Sequence, residues 1–398
     1  MGGTRPRSTQ SSLAIAALFV LAPLLLVASG GAGPKPAPLN KDSRREFIRA
    51  AQVWTPTPVA AMDLRAGPGG PGAFAPDAVV TCDYKPHEKR GGHSRKFDCA
   101  IDANDVAKVR YGSDNGEVEG SVLASRLLWA LGFGADRVYP VRVVCRGCSA
   151  DPWTHPERAD GEATFDPAAI ERKPLGDIMD VKGEDAGWSW TELALVDQAR
   201  GGATIAERDA LTLLAVMMQH TDSKAEQQEL LCLPGGVNDD GICKKPFLML
   251  HDIGLTFGHG NHWNRNSQGS VNFAEWSRTP MWRDRSACVA YMSKSQTGTL
   301  GNPYISEAGR AFLADLLQQL TDTQLRDLFE VGRADRRHID SSTPPASVDD
   351  WVAAFKQKRD EIVANRCPAA RDFTASTSDA LPPPSGGPSA PRSTAPRH

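Results

Sequence analysis

The sequence predicts an α+β protein with two lobes, a small β-rich N-terminal lobe that carries one helix and a larger helical C-terminal lobe, stapled by disulfides. The first observation is a change near residue 150 from strand-like alternation to helical periodicity. The second is the length of 398 residues, which is enough for two lobes with hydrophobic cores. The third is an even number of cysteines, eight, in a chain that begins like an exported protein.

The first residues have the pattern of an export signal, which we predict over residues 1–32. A basic start, MGGTRPRSTQSS, precedes the apolar run LAIAALFVLAPLLLVA, and the small residues SGGAG follow as a cleavage zone. The apolar run is short for a membrane-spanning helix and contains Pro23, so an uncleaved anchor is the less favoured alternative. We therefore expect an exported protein, periplasmic or secreted, with no membrane span after signal cleavage.

Two further segments differ in composition from the lobes. Residues 33–76 are rich in Pro, Gly and Ala and contain one short helical piece, DSRREFIRAAQVW, so we expect an N-terminal extension that wraps onto the body. The tail, residues 371–398, ends in DALPPPSGGPSAPRSTAPRH and has too little apolar surface to fold, which predicts disorder. The N-terminal lobe then takes residues 77–150 and the C-terminal lobe residues 151–370.

The N-terminal lobe begins with two alternating runs, AVVTCDYK and RKFDCAID, which flank the glycine-bearing turn PHEKRGGHS and predict a hairpin. DVAKVRYG is a third strand candidate. EVEGSVLASRLLWALGF then carries a broad apolar stripe that ends at Gly132, which predicts a helix, and VYPVRVVC follows as a strand. These elements make the lobe β-rich with a single helix.

Helix signals dominate the C-terminal lobe. IAERDALTLLAVMMQ predicts a largely buried helix. TDTQLRDLFEVG opens with a capping box formed by Thr321 and Gln324, and SVDDWVAAFKQKRDEIVANRC begins after the N-cap Ser347. The stretch LCLPGGVNDDGICKKP lies between apolar runs and predicts a hairpin extension.

The cysteine spacing favours one set of disulfide bonds. Two pairs each close a short loop between strand-like runs and leave two others, giving Cys82–Cys99, Cys232–Cys243, Cys145–Cys148 and Cys288–Cys367. The CRGC run also resembles a redox CxxC, but it lacks the strand-then-helix context of thioredoxins, so a structural bridge is favoured. Zinc is less favoured still, because no second CxxC or paired histidine motif accompanies it.

A polar stretch, HTDSKAEQ at residues 220–227, lies between the apolar runs LTLLAVMMQ and ELLCL. Taken alone, a capped and solvated helix end would explain it. Written as H-x-D-x-K-x-E-Q, it resembles the catalytic loop of protein kinases, H-R-D-x-x-x-x-N, with an amide five residues after Asp222.

Three more elements follow the kinase order. VAKV at residues 106–109 resembles the lysine-bearing third strand, and the next helix opens with Glu117 and Glu119. FLMLHDIGLTFG delivers Asp252 in a D-I-G that resembles D-F-G at a strand end. Over roughly residues 78–335 the chain therefore resembles the protein-kinase-like superfamily, and most closely its atypical branch of HipA-type and secretory-pathway kinases.

The resemblance implies a bilobal protein-kinase-like fold and metal-dependent phosphoryl transfer from ATP, or another nucleoside triphosphate, to a hydroxyl group. Lys108 would contact the α/β-phosphates and be held by Glu119, with Glu117 as the alternative. Asp252 would bind Mg²⁺ or Mn²⁺ through hard oxygen ligands. Asp222 would orient the acceptor hydroxyl and take its proton.

The resemblance also assigns roles around these residues. Gln227 would supply a carbonyl oxygen to a second metal ion, and Lys224 would steady the γ-phosphate. Gly91, Gly92 and Ser94 in the hairpin tip would cover the phosphates with backbone N–H groups. The acceptor would be a protein, a peptide or a glycan, and the formal net charge of −3 argues against nucleic acid.

Departures from the family pattern leave alternatives open. The tip does not follow G-x-G-x-x-G, Gln227 replaces the usual Asn, and Ile253 replaces the Phe of D-F-G. A catalytically inactive pseudokinase that acts as a binding module outside the cytoplasm is therefore the alternative function. A metal hydrolase built on the histidines 251, 259 and 262 is a third hypothesis, although their spacing fits no standard zinc pattern.

Overall fold

The structure, a computed structural model, describes residues 1–3, 34–86, 92–182, 186–258, 269–293, 295, 297–339 and 342–368. Most of the predicted signal peptide and the predicted disordered tail lie outside these residues, as do Gly91, His259 and His262. Within the described part the chain is a mixed α+β protein, as the sequence predicts. None of the helices found there has both the length and the apolar character that a membrane crossing requires.

Five strands form a closed barrel in the order β1-β2-β3-β5-β4, namely β1 (Ala78–Lys85), β2 (Lys96–Asp102), β3 (Asp105–Tyr111), β4 (Arg137–Arg146) and β5 (Glu162–Arg172). Neighbouring strands are antiparallel except for β1 and β4, whose parallel pairing closes the barrel. The interior is filled by aromatic side chains in mutual contact, Tyr84, Phe97, Tyr111 and Phe165.

The barrel extends past residue 150, where the sequence pattern placed the end of the N-terminal lobe. β5 pairs with both β3 and β4, so it belongs to the same sheet. Its sequence, EATFDPAAIER, has a proline and several alanines and lacks the regular alternation of the other strands. Its strand form depends on its two neighbours, which is why the local pattern did not reveal it.

The predicted helix of the N-terminal lobe is α2 (Glu117–Ala130), and it is buried along most of its length. Val118 and Val122 pack against the barrel strands β4 and β5. Leu123 and Leu127 belong instead to the large core of the helical part. A helix that is apolar on several sides is buried on several sides, so α2 connects the barrel to the rest of the molecule.

The N-terminal extension lies against the helical part. Its helix α1 (Lys41–Ala50) begins at the N-cap Asn40 and buries Phe47 and Ile48 in the large core. After the helix, the backbone of Gln52 pairs with the strand that contains Leu248, because Leu248 N donates to Gln52 O at 2.9 Å.

The helical part contains a small sheet and helices of varied length. The sheet, in the order β6-β7-β8, comprises β6 (Asp177–Ile178), β7 (Gln228–Cys232) and β8 (Pro246–Leu250). The other elements are α3 (Ile205–Met218), α4 (Phe273–Arg278), β9 (Trp282–Asp284), β10 (Val289–Ala290), α5 (Glu307–Gln318), α6 (Asp322–Val331) and α7 (Val348–Ala364). The predicted caps at Thr321 and Ser347 are confirmed.

All eight cysteines are paired at bonding distance, with no free thiol. The four bonds are the ones that the spacing favours, Cys82–Cys99, Cys145–Cys148, Cys232–Cys243 and Cys288–Cys367. The predicted pairing is therefore confirmed. The first two bonds lie in the barrel, the third ties the β7–β8 hairpin, and the fourth joins the chain after α7 to the region of β10.

Candidate functional site

The stretch that follows α3 runs beside the stretch that follows β8. Helix α3 ends because Gln219 adopts a left-handed conformation with φ of 54°. Thr221 N then donates to Leu255 O at 3.1 Å, and Phe257 N donates to Met218 O at 2.6 Å. These backbone bonds hold the loop of Asp222 next to the D-I-G segment.

The D-I-G segment in turn lies directly against the first turns of α2. Asp252 has φ of 48°, a left-handed conformation that Asp tolerates better than most residues. A Cβ atom on Gly120 would lie 2.3 Å from Gly254 O, and one on Gly254 would lie 2.7 Å from Glu117 Cβ. Only glycine at both positions allows this approach, which brings Glu117 beside Asp252.

Arg110 on β3 is the cation around which the site is organised. It is 1% exposed, and its guanidinium donates to Glu117 Oε2 at 2.5 Å, to Glu171 Oε2 at 3.2 Å and to an Asp252 carboxylate oxygen. It also donates to Ser94 Oγ at 3.0 Å. Burial alone would lower the pKa of Arg110, but the surrounding carboxylates raise it above its usual value. The sequence motifs do not single out this residue.

Lys108 forms an ion pair with Glu171 on β5 rather than with Glu119 or Glu117 on the helix. The reason is the strand register, because β3 and β5 are antiparallel neighbours that place Lys108 directly opposite Glu171. Burial raises the pKa of Glu171, but the charges of Lys108 and Arg110 outweigh it and lower that pKa to about 2. The ion pair between β3 and α2 that we expected for Lys108 is instead formed by Arg110.

Glu119 lies away from the Arg110 cluster. Residues two apart on a helix point in directions about 200° apart, so Glu117 and Glu119 cannot face the same site. Glu119 is 4% exposed, and burial raises its pKa to about 7, while the charges of Arg337 and Arg333 oppose the rise. Its partners are therefore in the helical part, and the structure separates it from Lys108.

Asp222 and Lys224 lie together in the loop after α3, with Lys224 Nζ 3.3 Å from Asp222 Oδ1. Burial raises the pKa of Asp222 to about 7, the charge of Asp252 adds to the rise, and Lys224 opposes it. For Asp252, burial also acts to raise the pKa, but Arg110 and Lys108 outweigh burial and lower it. The pKa values of these two neighbouring carboxyl groups are thus shifted in opposite directions. Pairs of this kind are common where acid–base chemistry takes place.

Two adjacent glutamines differ in their surroundings. Gln227 is partly buried, and its backbone oxygen accepts a hydrogen bond from His251 N at 3.0 Å. Gln228 is fully buried, with Nε2 3.5 Å from His220 Nε2, and among the described residues its Oε1 has no hydrogen-bond partner. His220 is buried as well, and burial lowers its pKa to about 4, so it is a neutral residue that supports the loop.

Gly92 and Lys96 lie close together at the start of β2. Gly92 has φ of 76°, and Lys96 Nζ would lie 3.0 Å from a Cβ atom at this glycine. Lys96 stands opposite Arg110 in the β2–β3 register. Burial lowers the pKa of Lys96, and the charge of Arg110 lowers it further. Lys96 is a second site residue that the sequence motifs do not single out.

Comparisons with known proteins leave the family open. No protein-family description matches the chain, and a search of curated proteins gave no match. Among solved structures, the chain is similar to the Helicobacter pylori proinflammatory kinase CtkA, with a TM-score of 0.31 and 11% identity over 72% of this chain and 95% of the other. A likeness this distant assigns no function, so the function has to be inferred from the residues of the site.

Proposed function

We propose that the chain is an exported kinase-like phosphotransferase that moves the terminal phosphoryl group of ATP, or of another nucleoside triphosphate, to a hydroxyl on a protein, peptide or glycan. One observation supports this most. Three basic side chains of the barrel, those of Lys96, Lys108 and Arg110, lie among acidic groups next to the Asp222 loop, namely Glu117, Glu171 and Asp252. Phosphoryl transfer needs fixed positive charge beside metal-binding carboxylates.

The donor atoms of the site suit a hard divalent cation. Asp252 offers a carboxylate that remains charged, and the buried Oε1 of Gln228 is an amide oxygen without a hydrogen-bond partner among the described residues. Oxygen ligands of this kind suit Mg²⁺ or Mn²⁺. We assign Asp252 as the principal metal ligand, with Gln227 or Gln228 as the source of a second oxygen. When bound, the ion would neutralise charge on the transferred phosphate.

The proton of the acceptor hydroxyl would pass to Asp222. The oxygen of the acceptor hydroxyl would form a bond to the terminal phosphorus while the bond between that phosphorus and the leaving nucleoside diphosphate breaks. The proton of the hydroxyl would move to the Asp222 carboxylate. A pKa of about 7 suits this group to accept a proton near neutral pH. Lys224 lies within ion-pair distance of Asp222 and would attract the transferred phosphate, while Lys96 under Gly92 would hold the remaining phosphates.

A catalytically silent binding module is the second candidate function, and one contact favours it. The guanidinium of Arg110 already neutralises Asp252, so a metal ion must compete with this buried ion pair. If that pair does not open, the site can bind a phosphate-bearing ligand through its cations without transferring a phosphoryl group.

The test is a transfer assay on the disulfide-bonded protein with radiolabelled ATP, Mn²⁺ or Mg²⁺, and casein as a generic acceptor, with ADP release measured in parallel. We expect metal-dependent ADP release that falls by about 10²-fold or more in Asp222→Asn, because the proton acceptor is lost. Asp252→Asn should abolish the metal-dependent ADP release, because the principal metal ligand is lost. The matched control is Glu226→Gln, an exposed carboxylate of the same loop, which should retain the activity.

Nucleotide-dependent thermal stabilisation separates the two candidate functions. If ATP raises the Tm and no turnover occurs, the protein is a binding module. If ATP, GTP and both metals leave the Tm and the turnover unchanged, both functions are wrong.

A further inference from the structure

A second polar cluster lies where the barrel meets the β6–β8 sheet, and the proposed phosphoryl transfer does not use it. Its members are Asp136 just before β4, Glu229 on β7 and His251 just after β8. One ligand atom from each residue lies within 4.8 Å of the other two. The three residues are far apart in the sequence, so no local motif reveals them.

Hydrogen-bonded backbone fixes the positions of these residues. Leu250 N donates to Gly134 O at 3.0 Å, and Ala135 forms a bridge with Leu250, which places the neighbouring residues Asp136 and His251 side by side. Glu229 stands opposite Met249 in the β7–β8 register. Side chains on or next to hydrogen-bonded strands are held more firmly than side chains on long loops, as a binding site requires.

The carboxylates of the cluster are incompletely satisfied. Asp136 is 2% exposed, and one of its oxygens contacts His251 Nδ1, while the other, Oδ1, has no hydrogen-bond partner among the described residues. Glu229 Oε2 is likewise buried without a partner in that part of the chain. A buried polar atom without a partner destabilises the folded protein, and the cost is larger when the group is charged. The cluster thus contains two buried carboxylate oxygens that no donor among the described residues satisfies.

Lys173 places a positive charge beside two members of the cluster. Lys173 Nζ lies 2.6 Å from Glu229 Oε1 and 3.4 Å from His251 Nδ1. Its side chain is 52% exposed, so it can turn out into solvent when another cation takes its place beside Glu229. Glu229 and His251 each have side chains that are 16% exposed, which gives an ion access from solvent.

We propose that Asp136, Glu229 and His251 bind a divalent transition-metal ion of the zinc class, which displaces the ammonium of Lys173. One imidazole nitrogen and two carboxylate oxygens make a set of three protein ligands that suits Zn²⁺ and leaves one coordination position open. The ion would join the residue at the start of β4 to the β7–β8 hairpin, and so would tie the barrel to the helical part. This ligand set shares only His251 with the histidines that the sequence pattern singled out.

Zinc binding tests the proposal directly. The protein is stripped of metal with its disulfides intact and titrated with Zn²⁺ by calorimetry, in an Asp252→Asn background that removes the principal metal ligand of the phosphotransfer site. We expect one equivalent of Zn²⁺. Glu229→Gln and His251→Gln should each weaken Zn²⁺ binding by about tenfold or more. Loss of a residue that only supports a ligand already costs about tenfold, and these residues are ligands themselves. The control Glu226→Gln, in the loop before β7, should bind as the background does.

Lys173→Met gives the opposite expectation, because it removes the cation that competes with the metal. We expect tighter Zn²⁺ binding and a larger zinc-dependent rise in Tm, a gain that misfolding cannot produce. Circular dichroism shows whether each variant is folded. The proposal is wrong if folded Glu229→Gln and His251→Gln bind Zn²⁺ as tightly as the background protein, or if neither the background nor Lys173→Met binds it. Phosphoryl transfer is not the readout, so failure of one proposal leaves the other standing.

Discussion

At the scale of single residues, Arg110 holds together carboxylates that come from three different elements. Glu117 begins α2, Glu171 lies on β5 and Asp252 follows β8, and each contacts the same guanidinium. An arginine suits this position because its planar group presents several donors in fixed directions and stays charged when buried. A lysine at the same place would satisfy fewer of the three carboxylates.

Arg110→Met should therefore destabilise the protein strongly. Removal of one partner from a buried ion pair leaves charge unpaired in the interior, which typically costs about 3–5 kcal/mol. Urea unfolding followed by fluorescence measures the free energy. Arg146→Met is the matched control, because Arg146 pairs with Asp83 at the surface and both side chains are about half exposed. Equal effects of the two substitutions would contradict the role of Arg110.

The pH dependence of the proposed phosphoryl transfer should follow the ionisation of Asp222. Only the ionised carboxylate can accept a proton, so kcat should rise with pH through about 7. The positive charge of Lys224 favours the ionised form, and its removal in Lys224→Met raises the pKa of Asp222 further. The midpoint of the rise in a plot of kcat against pH should therefore move to higher pH in this variant. A midpoint that stays in place, or moves down, would assign the proton transfer to another group.

The sequence singled out Asp222, Lys224 and Asp252 because each stands in a local motif. It did not single out Arg110, although strand alternation puts residues 108 and 110 on one face of β3. Which of the two side chains reaches α2 depends on how this helix packs against the barrel. A local sequence pattern does not determine that packing.

At the scale of elements, α2 and the D-I-G segment depend on a contact between two glycines. Thr256 Oγ1 donates to Gly120 O at 3.2 Å and fixes the depth of this contact. The ion pair between Arg110 and Glu117 forms because α2 comes this close to the segment that carries Asp252.

Gly254→Ala should push α2 away from the site. Its added methyl would lie 2.7 Å from Glu117 Cβ and 2.9 Å from Glu117 Cγ, closer than packed carbon atoms approach. We expect a loss of about 1–3 kcal/mol in unfolding free energy, as for other overpacked sites, together with lower transfer activity. Gly301→Ala is the control, because no atom lies within 4 Å of its added methyl. Unchanged stability and activity in Gly254→Ala would show that α2 can move away from the added methyl group without a loss of free energy.

Elements with a strong local pattern were predictable from the sequence. The alternation of β1 and β2, the stripe of α2, the capping box of α6 and the N-cap of α7 each appear in the structure where the sequence predicts them. β5 was not predictable, because its form depends on hydrogen bonds to β3 and β4 and its own residues favour no single conformation.

At the scale of the whole molecule, the disulfides close loops of very different length. Cys232–Cys243 spans 11 residues, whereas Cys288–Cys367 spans 79 and joins the end of the helical part to its middle. A cross-link that closes a longer loop removes more conformational entropy from the unfolded chain.

Replacement of Cys288 and Cys367 by serine should cost more stability than replacement of Cys232 and Cys243. The loop lengths of 79 and 11 predict a difference of about 2 kcal/mol in the free energy of unfolding. Urea titrations of both double variants, with the remaining bonds verified by mass spectrometry, give the comparison. A costlier loss of the hairpin bond would show that strain or packing, rather than loop entropy, sets its contribution.

The position of the N-terminal extension has a consequence for synthesis. Gln52 forms backbone hydrogen bonds with Pro246 and Leu248, and Ala37 N donates to Gly241 O at 2.8 Å, so the N-terminal extension rests on a hairpin that is synthesised much later. Because the chain leaves the ribosome from its N-terminus, this stretch cannot form these hydrogen bonds until the hairpin has emerged. The extension therefore reaches its final position only after residue 248 has been synthesised.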